Sequence, residues 1–399
     1  MRILVAFLFL FASCFSWSQT AFEKGMVLDS IPVPNTKETF AIYLPTQYNP
    51  NEPSPIVFIF EPAARGRIGI EPFVLASEKY GYVLVCSNNS RNGPYNRNIP
   101  IAERLFDYLF SIVNIDSKQI FLSGFSGGSR LASTIAASSD SIAGVIACGA
   151  GLSSNPALVP YEGTFLYAGI CGNRDMNYSE MLGLQPFLKS IGLTHALFIY
   201  DGSHTWPPPD EMEKVFDWIA VQLHKRNIEP LKREELQGYY EEEYATVLQD
   251  TKEKNYLRTT EGLERILLSY STMFNLDSIS LQLKEHQKSK DYKLAVKSNE
   301  KTIAQEKLLS QKYIDRIFSD FKDLDQTDLS WWRKEFEKLK KKSISGDVYT
   351  QKMVERLRYR VFAFLYENTS PNLNANTTDA QLAYSKQIIE LLKTFSPNR

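Results

Sequence analysis

Short apolar runs alternate with amphipathic stretches of helical periodicity from residue 22 to about residue 223. The run 55–60 has no polar interruption, which is typical of a strand buried on both faces of a parallel sheet. Runs 26–28 and 39–44 predict an antiparallel pair that opens the sheet. The other predicted strands are 82–86, 119–122, 144–148, 164–170 and 196–200. Strands separated by helical segments predict an α/β fold with a mostly parallel sheet between two layers of helices.

The pattern changes after residue 230. Glycine and proline become rare, and Lys, Glu, Leu and Tyr recur at helical spacing to the end of the chain. Helices are predicted at 233–248, 261–273, 292–321, 329–341, 348–366 and 380–395. We therefore expect a separate all-α domain over 229–399, arranged as a helical bundle or an irregular solenoid.

The first 18 residues carry one positive charge and then a continuous apolar run, too short to cross a bilayer core of about 20 residues. This pattern predicts a secretory signal peptide over 1–18, with a mature chain beginning near Gln19 that is secreted or periplasmic. Residues 11–14 also resemble a bacterial lipoprotein box, with Phe11 where leucine is usual. An anchor through a lipidated Cys14 is the alternative.

The composition of the chain restricts the classes of function that can be expected. The 399 residues are 43% hydrophobic and 23% charged, with a formal net charge of -1, so charge gives no reason to expect binding to nucleic acid. No transmembrane segment is expected. Cys86, Cys148 and Cys171 each end a predicted strand, and we interpret them as small core residues. Cysteines and histidines show no metal-ligand spacing, so neither a metal nor a cofactor is expected.

Residues 124–128 read Gly-Phe-Ser-Gly-Gly, the G-x-S-x-G pattern, between an apolar run and a helix of small residues. In this pattern a serine sits on a sharp turn between strand and helix, with its hydroxyl exposed at the carboxyl edge of the sheet. Gly124 and Gly128 are needed because the neighbouring chain comes too close for a Cβ. Ser126 is therefore the predicted nucleophile.

A nucleophilic serine requires a base and a carboxylate that orients the base. His204 directly follows the last predicted strand, so it lies at the same sheet edge as Ser126; His195, His224 and His286 do not. Asp175 follows the preceding strand and is the preferred carboxylate. Glu180, further along that loop, and Asp201, beside the histidine, are the alternatives.

The order Ser126, Asp175, His204 resembles the α/β-hydrolase fold, and the resemblance covers about residues 22–226. Within that fold the chain resembles secreted esterases of the polyhydroxybutyrate-depolymerase and feruloyl-esterase kind, and more distantly dienelactone hydrolases and prolyl oligopeptidases. The resemblance implies a three-layer catalytic domain over 19–228 that cleaves carboxylic esters through an acyl-enzyme.

Those esterases usually carry a His-Gly pair after an early central strand, where a backbone N–H helps to form the oxyanion hole. Residues 60–66 read Phe-Glu-Pro-Ala-Ala-Arg-Gly here. Two backbone donors are needed, each stabilising the transition state by about 3 kcal/mol. Gly127 should give one. Because Pro62 has no N–H, the other is expected from Ala63, with Ala64 as the alternative.

The substrate is less defined by the sequence. Trp206 should form an apolar wall beside His204, and polar residues of loops after strands could line the cleft and favour an anionic or hydroxyl-rich ester: Arg65, Arg67, Asn88, Asn89, Arg91 and Asn92. The short connection 149–163 leaves no room for a large lid, which indicates an accessible site.

We therefore expect an exported serine esterase acting on a small-molecule or carbohydrate-linked ester. The alternatives are a peptidase of the prolyl-oligopeptidase type and a weakly active scaffold that binds a protein partner through its helical domain. That helical domain could instead cover the active site or stabilise the first domain.

Overall fold

The computed structural model describes residues 22–161, 163–324, 328–370, 374 and 376–395. The predicted signal peptide 1–18, with Cys14, lies outside these residues. Eight strands are described: β1 (Val27–Pro32), β2 (Thr39–Tyr43), β3 (Ser54–Phe60), β4 (Val83–Ser87), β5 (Ile115–Phe125), β6 (Gly144–Cys148), β7 (Leu166–Gly172) and β8 (His195–Tyr200).

These strands form one sheet in the order β1-β2-β4-β3-β5-β6-β7-β8. β2 is antiparallel to both of its neighbours, β1 and β4, and every pairing from β4 to β8 is parallel. β3 and β5 lie in the middle, and Phe60, the last residue of β3, pairs with Gly124. This topology is the α/β-hydrolase fold, as the sequence predicted.

Helices cover both faces of the sheet: α1 (Gly66–Ile70), α2 (Val74–Tyr80), α3 (Tyr95–Ile112), α4 (Gly127–Ala137), α5 (Tyr178–Ser190) and α6 (Pro209–Lys225). Phe58 packs with residues of α3 and α4 on one face, and its neighbour Val57 packs with residues of α6 on the other. This alternation across a fully buried strand explains why run 55–60 has no polar residue.

The three described cysteines are free and buried, as predicted for core residues. Burial raises the pKa of the Cys148 thiol to about 12. A thiol in this environment stays protonated and therefore unreactive at neutral pH.

Helices follow α6 throughout the rest of the described chain: α7 (Arg233–Lys252), α8 (Tyr256–Tyr270), α9 (Asp277–Lys288), α10 (Lys290–Lys322), α11 (Ser330–Ser345), α12 (Val348–Thr369) and α13 (Asp379–Thr394). All six predicted helices are present. The sequence interpretation missed α9, in which Ile279 is the buried residue, so the helix lacks a clear apolar stripe.

Two apolar clusters hold these helices. Residues of α7, α8 and α9 pack around Val221 of α6, whereas α10 to α13 share a second cluster. Trp332 is fully buried in the second cluster and donates its indole N–H to the hydroxyl of Tyr384 at 2.8 Å. The division into domains at residue 228 stays a prediction. In the described part of the chain, no helix combines the length and the apolar character needed to cross a membrane.

Candidate active site

The turn between β5 and α4 has the strained geometry of a nucleophile elbow. Ser126 adopts φ 53° and ψ -118°, a conformation that non-glycine residues rarely take. A Cβ on Gly124 would lie 2.3 Å from the carbonyl carbon of Gly128, and one on Gly128 would lie 1.9 Å from the carbonyl oxygen of Phe60. Both glycines are therefore required for the strand, the turn and the helix to pack this closely.

Three loops at the carboxyl edge of the sheet bring the predicted catalytic side chains together. The Nε2 of His204 lies 3.1 Å from the Oγ of Ser126, and its Nδ1 lies 2.8 Å from both carboxylate oxygens of Asp175. Asp175 is 1% exposed and also accepts the backbone N–H of Asn177 at 2.7 Å. A buried carboxylate at Nδ1 favours the tautomer that leaves Nε2 free to accept the serine proton.

The alternative carboxylates have other partners. Glu180 accepts two hydrogen bonds from the guanidinium of Arg130, each 2.7 Å long, and Asp201 pairs with Arg174 at 3.1 Å. The remaining three histidines are hydrogen-bonded to backbone groups: His195 to Leu193, His224 to Leu231 and His286 to Tyr256. Asp175 is thus the carboxylate that meets His204.

The predicted oxyanion donors differ in whether their N–H groups already donate hydrogen bonds within the protein. Gly127 is the first residue of α4, so its N–H has no acceptor within the helix. The Ala63 N–H, in contrast, donates to the side-chain carboxylate of Glu61 at 2.7 Å, and the Ala64 N–H donates to the Glu61 carbonyl at 3.0 Å. Both donors expected after β3 are therefore already occupied, contrary to the prediction.

Burial of Glu61 explains this difference. Glu61 is 1% exposed, and its carboxylate also accepts the backbone N–H of Arg65 at 3.0 Å and the Arg65 Nε–H at 3.1 Å. A buried carboxylate needs hydrogen-bond donors, and the nearest ones belong to its own turn. Nothing in the residue pattern of this turn indicates how the carboxylate is oriented.

A cavity of about 480 Å³ lies beside Ser126. The loops after β3 and β4 form one part of its wall, including Pro62, Arg91 and Asn92. Helix α12 forms another part through Arg360, Ala363, Phe364 and Glu367. The site is therefore covered by a helix from the far end of the chain. The sequence analysis expected an accessible site because the connection 149–163 is short. The length of a connection between neighbouring strands reports on insertions at that point alone, so it could not predict a covering helix from elsewhere in the chain.

Helix α12 also contacts the catalytic loops directly. The Tyr359 ring lies 5.1 Å from the His204 ring, centroid to centroid. The Nη1–H of Arg356 donates to the carbonyl of Asn173 at 2.9 Å, and Arg360 donates to the carbonyl of Met176. These two carbonyls flank Asp175, so α12 fixes the loop that carries the carboxylate. The sequence analysis left covering of the active site by the helical domain as one possibility, but it did not identify α12 as the helix that makes this contact.

Five residues predicted to line the substrate site lie outside the cavity wall: Arg65, Arg67, Asn88, Asn89 and Trp206. Arg67 donates to the Val27 carbonyl at 2.9 Å, and Asn89 accepts the Thr39 N–H at 2.8 Å. Arg65 is held by Glu61, as described above. Asn88 accepts the Gly66 N–H at 2.7 Å and so fixes the start of α1. Trp206 packs between Phe73 and Phe125, with ring centroids at 5.8 and 5.4 Å. Trp206 thus supports the His204 side of the site through Phe125 without lining the cavity.

Uncompensated positive charge remains at the cavity. Arg130 is balanced by Glu180, as is Glu61 by Arg65, with ion-pair distances of 2.7 and 2.5 Å. Arg91 and Arg360 form no ion pair with any described residue. Glu367 also lines the cavity and has no ion-pair partner among the described residues, so the two free guanidinium groups exceed the one free carboxylate, and this excess favours an anion in the cavity. Among the described residues, no cluster of three or more His, Cys, Asp or Glu side chains is placed to hold a metal ion.

Comparison with known proteins gives structural likeness over about half of the chain. Esterase 2 of Thermogutta terrifontis, solved after phosphonylation by sarin, matches with 15% identity and a TM-score of 0.41, covering 53% of this chain and 98% of that one. The S-formylglutathione hydrolase FrmB of Staphylococcus aureus matches with 12% identity and a TM-score of 0.38, covering 48% and 92%.

An acylaminoacyl peptidase of Pyrococcus horikoshii matches with 15% identity and a TM-score of 0.39, covering 52% of this chain and 42% of that one. No protein-family model matches the chain, and neither does the sequence of any curated protein.

Proposed function

We propose that the protein is a serine hydrolase that cleaves carboxylic esters. The observation that carries this proposal is the continuous chain of contacts from Asp175 through His204 to Ser126, at 2.8 and 3.1 Å. In this arrangement Ser126 is the nucleophile, His204 the general base and then the general acid, and Asp175 the group that orients the imidazole.

The reaction proceeds in two halves. First, the Oγ of Ser126 bonds to the ester carbon while its proton moves to Nε2 of His204, and the carbonyl π electrons move to oxygen. The tetrahedral intermediate then expels the alcohol, which takes the proton from Nε2, and leaves an acyl-serine. In the second half, water bonds to the acyl carbon and loses a proton to Nε2. The second tetrahedral intermediate then breaks its bond to Oγ, which takes the proton from Nε2, so the acid leaves and Ser126 and His204 are restored. Asp175 stabilises the imidazolium that forms in each half.

The cavity restricts the substrate. Its volume of about 480 Å³ suits a small ester, and Arg91 and Arg360 favour one that carries an anionic or hydroxyl-rich group. Export to the periplasm or the medium is part of the proposal and rests on the pattern of residues 1–18. The same pattern leaves anchoring through Cys14 as the alternative.

The direct test is hydrolysis of short-chain 4-nitrophenyl esters by the purified mature chain, with fluorophosphonate labelling read by intact mass. We expect turnover and a single label, both lost in Ser126→Ala and kept in Ser111→Ala, a change at an exposed serine of α3. Asp175→Asn should lower kcat by about 10⁴-fold while the fold is retained. A folded wild-type protein that neither turns over nor labels would contradict the proposal and favour the scaffold alternative.

Substrate charge is tested with matched 4-nitrophenyl esters of a neutral acid and of a dicarboxylic acid of equal length. We expect kcat/KM to favour the anionic ester. Arg91→Gln or Arg360→Gln should each reduce that preference roughly fivefold, as expected for one partly exposed ion pair of about 1 kcal/mol. Arg333→Gln, at an exposed position of α11, should leave it unchanged. Equal preference in all four proteins would show that the arginines do not select the substrate.

A further inference from the structure

The proposed reaction lacks one hydrogen-bond donor. The carbonyl oxygen gains a full negative charge in each tetrahedral intermediate, and two converging donors are needed to stabilise it. Gly127 offers its N–H, but Ala63 and Ala64 donate to Glu61, and Pro62 has none. The second donor must therefore come from another part of the cavity wall.

Asn92 offers a side-chain amide at this part of the cavity wall. It follows β4, lines the cavity beside Ser126 and Gly127, and is tied to the oxyanion loop because its backbone N–H donates to the Pro62 carbonyl at 2.8 Å. Its side-chain amide rests directly on Gly127. A Cβ built on Gly127 would come 2.0 Å from the Oδ1 of Asn92 and 3.5 Å from its Nδ2. The absence of a side chain at residue 127 is therefore what lets the amide pack this closely against Gly127.

The hydrogen bonds of this amide are incomplete. The Oδ1 of Asn92 is buried without a partner, and its Nδ2 donates to no acceptor in the part of the chain that the structure describes. Asn98, which also lines the cavity, has partners for both amide atoms, since its Nδ2–H donates to the Arg91 carbonyl at 2.8 Å and its Oδ1 accepts the Arg97 Nη1–H at 3.3 Å. An unused amide donor beside a nucleophile is suited to an acceptor that is present only during the reaction.

We propose that the Nδ2–H of Asn92 is the second oxyanion donor, acting together with the N–H of Gly127. It donates to the substrate oxygen as the carbonyl π electrons move onto that atom. No proton is transferred, and the bond weakens again when the carbonyl re-forms. This inference rests on the proposed serine hydrolase activity and adds to it a residue that touches the reacting atoms.

Steady-state kinetics of Asn92→Ala and Asn92→Asp test the proposal. Loss of a side-chain oxyanion donor should lower kcat by about 10²- to 10³-fold while KM changes less than about threefold. Asn92→Asp should be at least as impaired, because a carboxylate accepts hydrogen bonds and repels the oxyanion. Asn96→Ala, at an exposed position of α3, is the matched control and should keep full activity.

A second readout separates this role from a structural one. A trifluoromethyl ketone forms a hemiketal oxyanion on the serine, so its binding to Asn92→Ala should weaken by the same factor as kcat/KM, with the melting temperature unchanged. If the wild type is active and Asn92→Ala stays within threefold of its kcat, Asn92 is not the donor and the proposed function stands. If the wild type itself neither turns over nor labels, both proposals fail.

Discussion

Arg356 offers the sharpest test of how helix α12 supports the site. Its side chain is 1% exposed and pairs through Nε with Glu306, itself 3% exposed, at 2.7 Å. The same guanidinium holds the Asn173 carbonyl at 2.9 Å, two residues before Asp175. Arg356→Met keeps much of the side-chain volume but removes both interactions.

The expected loss of stability is large because Glu306 is left buried without its partner. Breaking a buried pair from one side costs about 3–5 kcal/mol, whereas replacing both members with apolar residues is often neutral. Arg356→Met should therefore lower the free energy of unfolding by about 3–5 kcal/mol, and Arg356→Met/Glu306→Leu should recover at least about 2 kcal/mol of it.

The pH dependence of the single variant has a defined sign. Burial raises the pKa of Glu306, and Arg356 opposes that effect. Without Arg356 the pKa of Glu306 rises further, so the carboxyl takes up a proton as pH falls and the penalty shrinks. The stability difference from wild type should thus be smaller at pH 5 than at pH 8.

Urea unfolding followed by tryptophan fluorescence measures these differences, and ester hydrolysis measures the effect on the site. Since the contact with Asn173 is lost in both variants, kcat should fall about tenfold in each, even where stability has recovered. Two results would refute the reasoning: a single variant within 1 kcal/mol of wild type, or a double variant as unstable as the single one.

Two further predictions concern stability. Gly128→Ala places a Cβ 1.9 Å from the Phe60 carbonyl oxygen, so we expect a loss of about 3 kcal/mol and of activity, whereas Gly238→Ala on α7, with no atom within 4 Å, should stabilise by about 0.5–1 kcal/mol. Thermal unfolding by circular dichroism compares them, and equal melting temperatures would contradict the predicted clash. Burial raises the pKa of Glu261 from 4.5 to about 8. Between these two pH values the folded chain keeps a proton that the unfolded chain has released, so the free energy of unfolding falls as pH rises from about 4.5 to about 8. The melting temperature of Glu261→Gln relative to wild type should therefore rise by about 3 °C or more between pH 5 and pH 9, and a constant difference would contradict the shifted pKa.

The placement of the candidate catalytic residues could be predicted because parallel strands deliver their carboxyl ends to one edge of a sheet. Ser126 ends one strand, and Asp175 and His204 follow two others, so element order alone brings them to that edge. The oxyanion loop could not be predicted in this way. Whether the Ala63 N–H faces the substrate depends on the rotamer of Glu61, which local residue types do not determine.

The sequence pattern also did not predict that α12 packs against the active site, although the sequence contains a signal for this contact. Positions 353, 357, 361 and 365 of α12 are buried in the helical cluster. Positions 356, 360, 363 and 367, on another face, meet the site or its loops. A helix buried on two faces shows a weak apolar stripe, because cations and aromatics occupy the second face. The arginines at positions 356 and 360 are the sequence feature that indicates this second contact.

Tyr359 decides whether the helical portion is part of the active site or merely lies next to it. The His204 ring contacts the Phe125 ring at 4.6 Å and the Tyr359 ring at 5.1 Å. If these two rings hold the imidazole in line with Ser126, Tyr359→Ala should lower kcat by about 10- to 100-fold, because small displacements of a catalytic group are costly.

Tyr359→Phe keeps the ring and should restore kcat to within about twofold of wild type, as expected when contact with the ring, and not the hydroxyl, positions the imidazole. Tyr366→Ala, on the same helix and 51% exposed, controls for general effects on α12. Full activity of Tyr359→Ala would mean that α12 covers the cavity without positioning the His204 imidazole. Loss in Tyr359→Ala with rescue in Tyr359→Phe would mean that catalysis by the α/β-hydrolase portion requires the C-terminal helices, since one of them holds the general base.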